Sequence, residues 1–287
     1  MHLNYQKQFT ALKINKHPKI DLNHSIGFIG SCFAQNMGMK LDDLGYTQFQ
    51  SPFGVVFNPI SIVQILKSLK KEEEPWGSVD DEFFSFNHHH KLRHTSFEAL
   101  KSKVKSEKIL FLNQLKSAKH LFVSLGSAWC YRHIKEDIIV ANCHKLPQKK
   151  FNKVLLSESE VSQALKDMTN ELLQINADLQ IYFTISPVKH LRDGVVENSQ
   201  SKARIISALQ AFLQENIEFL YFPAFEILQE ELRDYRYYSD DLAHPSEWAK
   251  EYIFNRWVET YFTEENNQNL KGLIAKKKRL EHRQSKG

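Results

Sequence analysis

Three side chains of the sequence have the types and spacing required for nucleophilic catalysis. Ser31 follows a short apolar segment, residues 25–30, and precedes a stretch with helical spacing, so its hydroxyl is expected at a strand-to-helix turn. Asp241 lies three residues before His244, and Pro245 disfavours helical geometry at that histidine. A carboxylate at this spacing can bind the imidazole Nδ1–H and leave Nε2 to accept a hydroxyl proton. The three residues therefore predict a Ser-His-Asp triad.

Each of the three residues also has a purely structural interpretation. Serine is a favourable N-cap, and Ser31 fits the start of the following helix in that role alone. If Ser31 is instead a nucleophile, the N–H groups at the start of that helix can stabilise the oxyanion formed on an attacked ester carbonyl. Asp241 and His244 also fit a surface loop in which Asp241 caps the next helix. These residues alone leave both interpretations open.

The chain supplies a scaffold for these residues by alternating short apolar segments with longer stretches of helical spacing. Strands are predicted at residues 25–30, 46–50, 120–126, 137–141, 179–185 and 217–222. Helices are predicted at residues 32–44, 59–69, 96–119, 158–173 and 202–214. Strands separated by helices indicate βαβ units, and hence a parallel sheet covered on both faces. Ligands bind beyond the carboxyl ends of such strands, which is where Ser31 is expected.

Two segments depart from this alternation. Residues 72–95 begin with an acidic run and a Pro-Trp-Gly sequence, and we expect an irregular excursion with short edge strands there. The C-terminal tail is polar, and its basic residues 276–279 fit either a solvated helix end or a contact with an anionic partner. We expect one α/β domain over residues 1–287, with its core at about 20–262 and a polar helical tail at 263–287.

The composition excludes several other classes of protein. Hydrophobic residues make up 42% of the 287 residues and aromatic residues 12%, which is enough for a folded core and too much for a disordered chain. A formal charge of +4 is too small to indicate nucleic-acid binding. Three cysteines do not suggest a disulfide framework, and no apolar run approaches the ~20 residues of a membrane helix or forms a signal-peptide core. We expect a cytoplasmic protein without membrane or nucleic-acid partners.

The pentapeptide Gly30-Ser31-Cys32-Phe33-Ala34 resembles the signature of the GSCFA family, a bacterial group related to the SGNH (GDSL-like) hydrolases. Further segments resemble patterns of that family in the same order: residues 51–54, 58–59, 125–129, 141–145, 186–194, 197–198, 201–203, 221–224 and 231–236. The resemblance covers roughly residues 20–260. It implies an α/β fold, a three-layer α/β/α sandwich with a mainly parallel five-stranded sheet, and ester hydrolysis or acyl transfer by a serine.

The resemblance also implies roles for individual positions. Ser31 matches the SGNH nucleophile, Asp241 and His244 match its Asp-x-x-His, and Gly54 matches the glycine whose N–H joins that of Ser31 in the oxyanion hole. The chain departs from the pattern after the third core strand, where Gly126-Ser127-Ala128-Trp129 replaces Gly-x-Asn-Asp. The asparagine donor is therefore missing. Asn142 or Asn58 is expected to replace it, or the hole has fewer donors.

Six further residues are candidates for substrate binding because they follow strands at the expected ligand-binding edge. They are Asn58, Ser127, Trp129, His144, Lys189 and His190. Each of them also fits a structural role, as a hydrogen-bonding group, a buried aromatic ring or a member of an ion pair. The resemblance implies a small-molecule or carbohydrate ester as substrate, with acetylated polysaccharide as one such class.

The run His88-His89-His90 fits a metal site poorly. Neighbouring residues of a strand point to opposite faces, so the three imidazoles cannot converge on one ion. We therefore predict no metal and no cofactor, and a histidine loop that lines the cleft or is exposed. Cys32, beside Ser31, is expected to be a small buried side chain rather than the nucleophile.

Three functions remain compatible with these residues. The first is a serine esterase that forms an acyl-enzyme on Ser31. The second is an O-acyltransferase that uses the same triad and passes the acyl group to an alcohol. The third is a non-catalytic carbohydrate- or partner-binding module, which the missing third-strand asparagine favours.

Overall fold

The structure is a computed structural model that describes residues 12–14, 17, 19–21, 23–266, 268–270 and 272–273. Its main sheet contains the strands β1 (Ile26–Gly30), β2 (Gln48–Gln50), β6 (His120–Leu125), β10 (Gln180–Ile185) and β11 (Leu220–Phe222). All neighbouring pairs are parallel, in the order β11-β10-β6-β1-β2. Every residue of β6 is buried, as expected for a strand covered on both faces. The predicted five-stranded parallel sheet is confirmed.

Helices cover both faces of this sheet and create two apolar cores. One core contains residues of α2 (Pro59–Ser68), α3 (Phe97–Ser117), α4 (Glu158–Ile175) and α5 (Val195–Glu215). The other contains residues of α1 (Cys32–Asp42), α6 (Ala224–Glu226), the π-helical stretch that follows it (Ile227–Leu232) and α7 (Glu247–Tyr261). In β6, Val123 belongs to the first core and its neighbour Phe122 to the second, because side chains alternate along a strand. The three-layer α/β/α arrangement is therefore confirmed.

Two small antiparallel sheets form an insertion, defined here as residues 76–94 and 129–155. The first sheet contains β3 (Trp76–Val79), β4 (Glu82–Ser85) and β5 (Arg93–His94). The second contains β7 (Trp129–His133), β8 (Ile138–Val140) and β9 (Phe151–Leu155). The edge strands expected within residues 72–95 and the strand near 137–141 are confirmed. β7 and β9 are not predicted by the sequence, because neither shows the strict alternation of buried and exposed residues that marks a half-buried strand.

The boundaries of the five predicted helices, which do not include α7, agree with the structure within two residues, except at α5, which begins at Val195 rather than at residue 202. Apolar spacing fails over these first turns because Val195 is exposed, whereas polar Asn198 and Lys202 are buried. Elsewhere local capping explains the boundaries: the Asn58 side chain accepts the Ile60 N–H at the start of α2. The inward polar face of α5 is therefore the first indication that its N-terminal part serves more than the core.

The described part of the chain contains no helix that is both long and apolar enough to cross a membrane. The basic residues 276–279, expected at the end of a last helix, lie outside the described residues.

Candidate active site

Ser31 lies directly after β1, at the carboxyl end of the main sheet. It occupies the N-cap position of α1, yet its side chain makes no capping hydrogen bond. Its hydroxyl instead bonds the Ser124 hydroxyl of β6, with 2.7 Å between the two Oγ atoms, and the residue is only 2% exposed. Gly30 permits this approach, because a Cβ there would lie 2.1 Å from the Ser124 carbonyl oxygen and its φ is +124°. The purely N-capping interpretation of the Ser31 hydroxyl is therefore wrong.

The backbone amide of Ser31 differs from its expected role. The Ser31 N–H donates to the Ser124 carbonyl oxygen at 3.0 Å, so this amide is engaged within the protein rather than free to face an oxyanion. The reason is topological: β1 and β6 pair in parallel up to Gly30 and Ser124, and the hydrogen-bond ladder extends one residue further. The next amide, that of Cys32, begins α1, where the first N–H groups lack intrahelical partners.

Gly54 lies in the loop after β2 with φ of +82°. A Cβ at this position would lie 2.5 Å from Cβ of His89, so only glycine fits against the histidine loop. The His89 N–H donates to the Phe53 carbonyl oxygen, and the His88 ring stacks on the Phe53 ring with 4.6 Å between centroids. Within the described residues the Gly54 N–H donates no hydrogen bond. The histidine loop therefore packs against the loop after β2 and helps to fix the position of Gly54.

The histidine loop forms no metal site in the described residues, where no three His, Cys, Asp or Glu side chains cluster suitably for an ion. Burial lowers the pKa of His88 and of His89 to about 4, so both rings are neutral near pH 7. Burial likewise raises the pKa of the half-buried Cys32 thiol, which leaves the thiol protonated.

Asp241 and His244 form a compact hydrogen-bonded pair in the loop before α7. One carboxylate oxygen of Asp241 accepts the N–H groups of Ala243 and His244, and the other lies 2.6 Å from His244 Nδ1. The two backbone N–H groups and the imidazole hold the pKa of the Asp241 carboxyl down to about 2. The side chains are 51% and 49% exposed, and His244 Nε2 makes no hydrogen bond within the described residues.

Backbone contacts place this loop at the same end of the sheet as Ser31. The Lys189 N–H, in the segment after β10, donates to the Ala243 carbonyl oxygen at 3.0 Å. Burial, together with the nearby charges of Lys202 and His244, lowers the pKa of His190 to about 4. No hydrogen bond joins Ser31 to His244 among the described residues, because the serine hydroxyl is directed to Ser124.

A cavity of about 350 Å³ opens beside the segment after β10, and Ser31, Asp241 and His244 are not among its lining residues. Five of the six residues predicted to bind substrate line it: Asn58, Ser127, Trp129, Lys189 and His190. Several of their polar groups are used inside the protein: Ser127 bonds the Ser201 hydroxyl, and the Trp129 indole donates to the Glu197 carbonyl oxygen. Lys153 lies 4.3 Å above the Trp129 ring, so one face of this ring is covered by a cation. These side chains therefore have structural contacts of their own in addition to facing the cavity.

The structure does not bring His144 and Asn142 to the cavity. The His144 side chain is fully buried in the insertion, where its ring stacks on Phe84 at 3.9 Å between centroids and Nε2 lies 3.0 Å from the Ser85 carbonyl oxygen. The Asn142 side-chain oxygen accepts the His144 N–H and shapes the turn after β8. The substrate-binding role expected for His144 is corrected: its position after an apolar strand reflects packing between the two small sheets.

Sequence reasoning missed two residues of this region. Ser124, the partner of Ser31, is the single hydroxyl residue in the buried strand β6. Lys202, on α5, is fully buried and donates to two carbonyl groups at the edge of the sheet. The same sequence signal could have identified both residues: each is a polar residue at a position that its strand or helix buries. Burial could be recognised only for Ser124, whose immediate neighbours in the strand are apolar.

Comparison with known proteins identifies the family. Similar solved structures include a protein described as a GDSL-like lipase from Parabacteroides merdae, with 13% identity, a TM-score of 0.44 and coverage of 87% of this chain and 98% of that chain. Another is a carbohydrate esterase family 3 protein from Talaromyces cellulolyticus, with 7% identity, a TM-score of 0.40 and coverage of 88% and 99%. These values are too low to carry functional information.

No curated protein matches the chain at a significant level. The profile of the GSCFA family matches residues 25–257, which is most of the chain. Because the match includes β1, Ser31 and the Asp241–His244 loop, the sequence signature and the folded site belong to the same unit. This protein is a member of the GSCFA family.

Proposed function

We propose that this protein is a serine-dependent esterase that forms an acyl-enzyme on Ser31. The observation that carries the proposal is the Asp241–His244 pair. Its carboxylate binds Nδ1 at 2.6 Å and leaves Nε2 free, at the same end of the sheet as a serine hydroxyl that does not cap its helix. A carboxylate in this position selects the imidazole tautomer that can accept a proton at Nε2 and stabilises the imidazolium that forms.

The reaction follows from these positions. The Ser31 hydroxyl turns from Ser124 to His244, and catalytic hydrogen bonds of this type often tighten only when substrate is bound. Ser31 Oγ attacks the acyl carbon while its proton moves to His244 Nε2. The imidazolium then returns the proton to the oxygen of the departing alcohol. A water molecule, deprotonated by the same imidazole, attacks the acyl-enzyme. The imidazolium then returns this proton to Ser31 Oγ as its bond to the acyl carbon breaks and the carboxylic acid leaves.

The oxyanion of each tetrahedral intermediate needs N–H donors. Since the Ser31 N–H is engaged by Ser124, we assign the role to the N–H groups of Gly54, in the loop after β2, and of Cys32, the first residue of α1. Asn58 is an unsuitable replacement for the missing asparagine, because its side chain binds Ile60 N and the Ser127 carbonyl oxygen. Loss of one donor costs on the order of 10²–10³ in turnover, so we expect slow hydrolysis of simple esters.

The cavity beside the site suits a small acyl or alcohol group. At about 350 Å³ it is at the small end of ligand pockets, and it combines the rings of Phe57 and Trp129 with Lys189 and Arg192. We propose an acetyl or similarly small acyl ester, including an ester on a carbohydrate, as substrate. Transfer to an acceptor alcohol is distinguished from hydrolysis by adding the alcohol and identifying the acylated product.

The proposal is tested by labelling with a fluorophosphonate, which reacts with activated serines. We expect wild type to be labelled, Ser31→Ala to lose the label, and mass spectrometry to place the adduct on the peptide containing Ser31. Ser124→Ala is the matched control, because it removes the hydroxyl bonded to Ser31 and leaves the nucleophile; it keeps the label. Undiminished labelling of Ser31→Ala would exclude Ser31 as the nucleophile.

A second candidate is a non-catalytic binding module. It is favoured by one observation: both the hydroxyl and the N–H of Ser31 are bonded to Ser124. Incubation with p-nitrophenyl acetate separates the two candidates. The esterase releases nitrophenol above the rate of Ser31→Ala, whereas the module shows equal rates for both proteins.

A further inference from the structure

Lys202 is a fully buried lysine at the carboxyl end of the main sheet. Its ammonium donates to the Gly126 carbonyl oxygen at 2.8 Å and to the Ser186 carbonyl oxygen at 2.7 Å. Among the described residues it forms no ion pair. A buried ammonium without a carboxylate partner is costly, and burial lowers the pKa of Lys202 to about 7. A residue retained at such a cost calls for a role beyond packing.

The charged and titratable groups around Lys202 come from three elements. Cys32 lies on α1 beside Ser31, Glu226 ends α6, and His190 follows β10; each senses the lysine charge. Glu226 accepts the Tyr221 hydroxyl at 2.7 Å and so has its own partner. The ammonium therefore lies close to the turn that carries the nucleophile. Two backbone carbonyl groups accept its hydrogen bonds, and its Nζ lies 5.6 Å from the centroid of the Phe225 ring.

The two carbonyl groups belong to the ends of neighbouring strands. Gly126 follows β6 and leads to one wall of the cavity, with Ser127 and Trp129. Ser186 follows β10 and leads to the opposite wall, with Lys189 and His190. One side chain thus connects both walls.

The second wall extends the connection to the imidazole. The Lys189 N–H binds the Ala243 carbonyl oxygen, and Ala243 lies between Asp241 and His244 in their hydrogen-bonded loop. A shift of the Ser186 end of the segment would move the His244 loop relative to Ser31.

We propose that Lys202 is a positioning residue, whose ammonium clamps the ends of β6 and β10 and thereby holds His244 in line with Ser31. The inference rests on the proposed function. A group that aligns an imidazole with a nucleophile affects the chemical step more than the binding of a small ester, since misplacement of reacting groups by about 1 Å can cost 10²-fold in rate.

The test compares Lys202→Met with Lys108→Met. Lys108 is also buried and also donates to a backbone carbonyl, that of Lys71, but it lies on α3 in contact with Glu74. Both substitutions remove a buried ammonium and keep an unbranched apolar side chain. Thermal unfolding establishes a temperature at which both variants are folded, and kcat and KM for p-nitrophenyl acetate and the rate of fluorophosphonate labelling are measured there.

We expect Lys202→Met to lower kcat and the labelling rate about 10- to 100-fold with KM changed less than about threefold. Lys108→Met is expected to keep kcat within about twofold, although it loses at least as much thermal stability. A folded Lys202→Met with kcat within twofold of wild type would overturn the inference. A rise in KM at unchanged kcat would also overturn it, because Lys202 would then affect substrate binding through the cavity walls and not the alignment of His244.

If Lys202→Met does not fold, Lys202→Gln provides the test, because glutamine is uncharged and one bond shorter and cannot span both carbonyl groups. We expect at least a fivefold loss of kcat in the folded variant, and kcat within twofold of wild type would contradict the proposal. Failure of the proposed function is recognised separately. In that case either wild type is not labelled or Ser31→Ala keeps the label, whatever the Lys202 variants show.

Discussion

Two buried lysines of this protein lie in polar environments of opposite kinds. Lys108, behind the insertion, contacts Glu74 at 2.6 Å, and the same carboxylate accepts Ser85 and Asn87. Lys202, at the carboxyl end of the sheet, has two backbone carbonyls and no carboxylate at ion-pair distance in the described part of the chain. A charge matched by a carboxylate stabilises one arrangement of the fold, whereas an unmatched charge retains electrostatic influence on its surroundings.

The histidines of the two regions differ in the same way. His88 and His144 are buried in or beside the insertion, stacked on phenylalanine rings, and burial lowers their pKa to about 4 and about 3. His244 is half exposed and paired with the ionised Asp241. Aromatic packing makes an imidazole a structural group, whereas a carboxylate partner and access to solvent allow it to exchange protons. The next three predictions test this division.

The largest effect is expected from Asp241→Asn. The amide keeps the shape of the carboxylate but cannot stabilise an imidazolium or fix the required tautomer, so kcat should fall on the order of 10²–10⁴-fold. Because the loop is exposed, the thermal unfolding midpoint should change little. Steady-state kinetics with p-nitrophenyl acetate and a melting curve measure the two quantities. Wild-type turnover would reduce Asp241 to a residue that only shapes the loop.

Glu74→Gln, which changes a carboxylate that contacts Ser85 and Asn87 of the insertion, should separate stability from activity. The substitution leaves the Lys108 ammonium buried without its carboxylate, and breaking such a pair typically costs about 3–5 kcal/mol of the free energy of unfolding. Urea unfolding measures this loss, while kcat measured on the folded variant should stay within about twofold of wild type. A tenfold fall in kcat of the folded protein would show that the insertion also controls the site.

The smallest effect is a pH dependence of stability that Lys202 should impose. Its pKa in the folded protein is about 7, below the ordinary 10.5, so between these values the unfolded chain binds more protons at this residue. The contribution of Lys202 to the free energy of unfolding therefore increases as pH rises above 7. We expect the difference between wild type and Lys202→Met to shift in favour of wild type from pH 7 to pH 9 in urea unfolding. A constant difference would show an ordinary amine pKa in the folded protein.

The insertion could be predicted from the sequence only in part. Its edge strands could be expected from a break in the helical pattern, but β7 and β9 could not, because their mixed residues pair only when two distant segments meet. His144 followed an apolar strand and so resembled a binding residue, yet the partner that buries it, Phe84, is 60 positions away in the chain. Local spacing does not encode such contacts.

Within the site, the sequence by itself determined what is local: the turn serine after an apolar strand, and an aspartate three residues before a histidine whose proline neighbour prevents helix. These features follow from backbone sterics and hydrogen bonds over a few residues. Only the tertiary structure decided that the Ser31 hydroxyl and N–H both bind Ser124, and that Lys202 closes over the ends of β6 and β10. The order of strands in the sheet sets these contacts, and that order results from packing the whole chain rather than from any short segment of it.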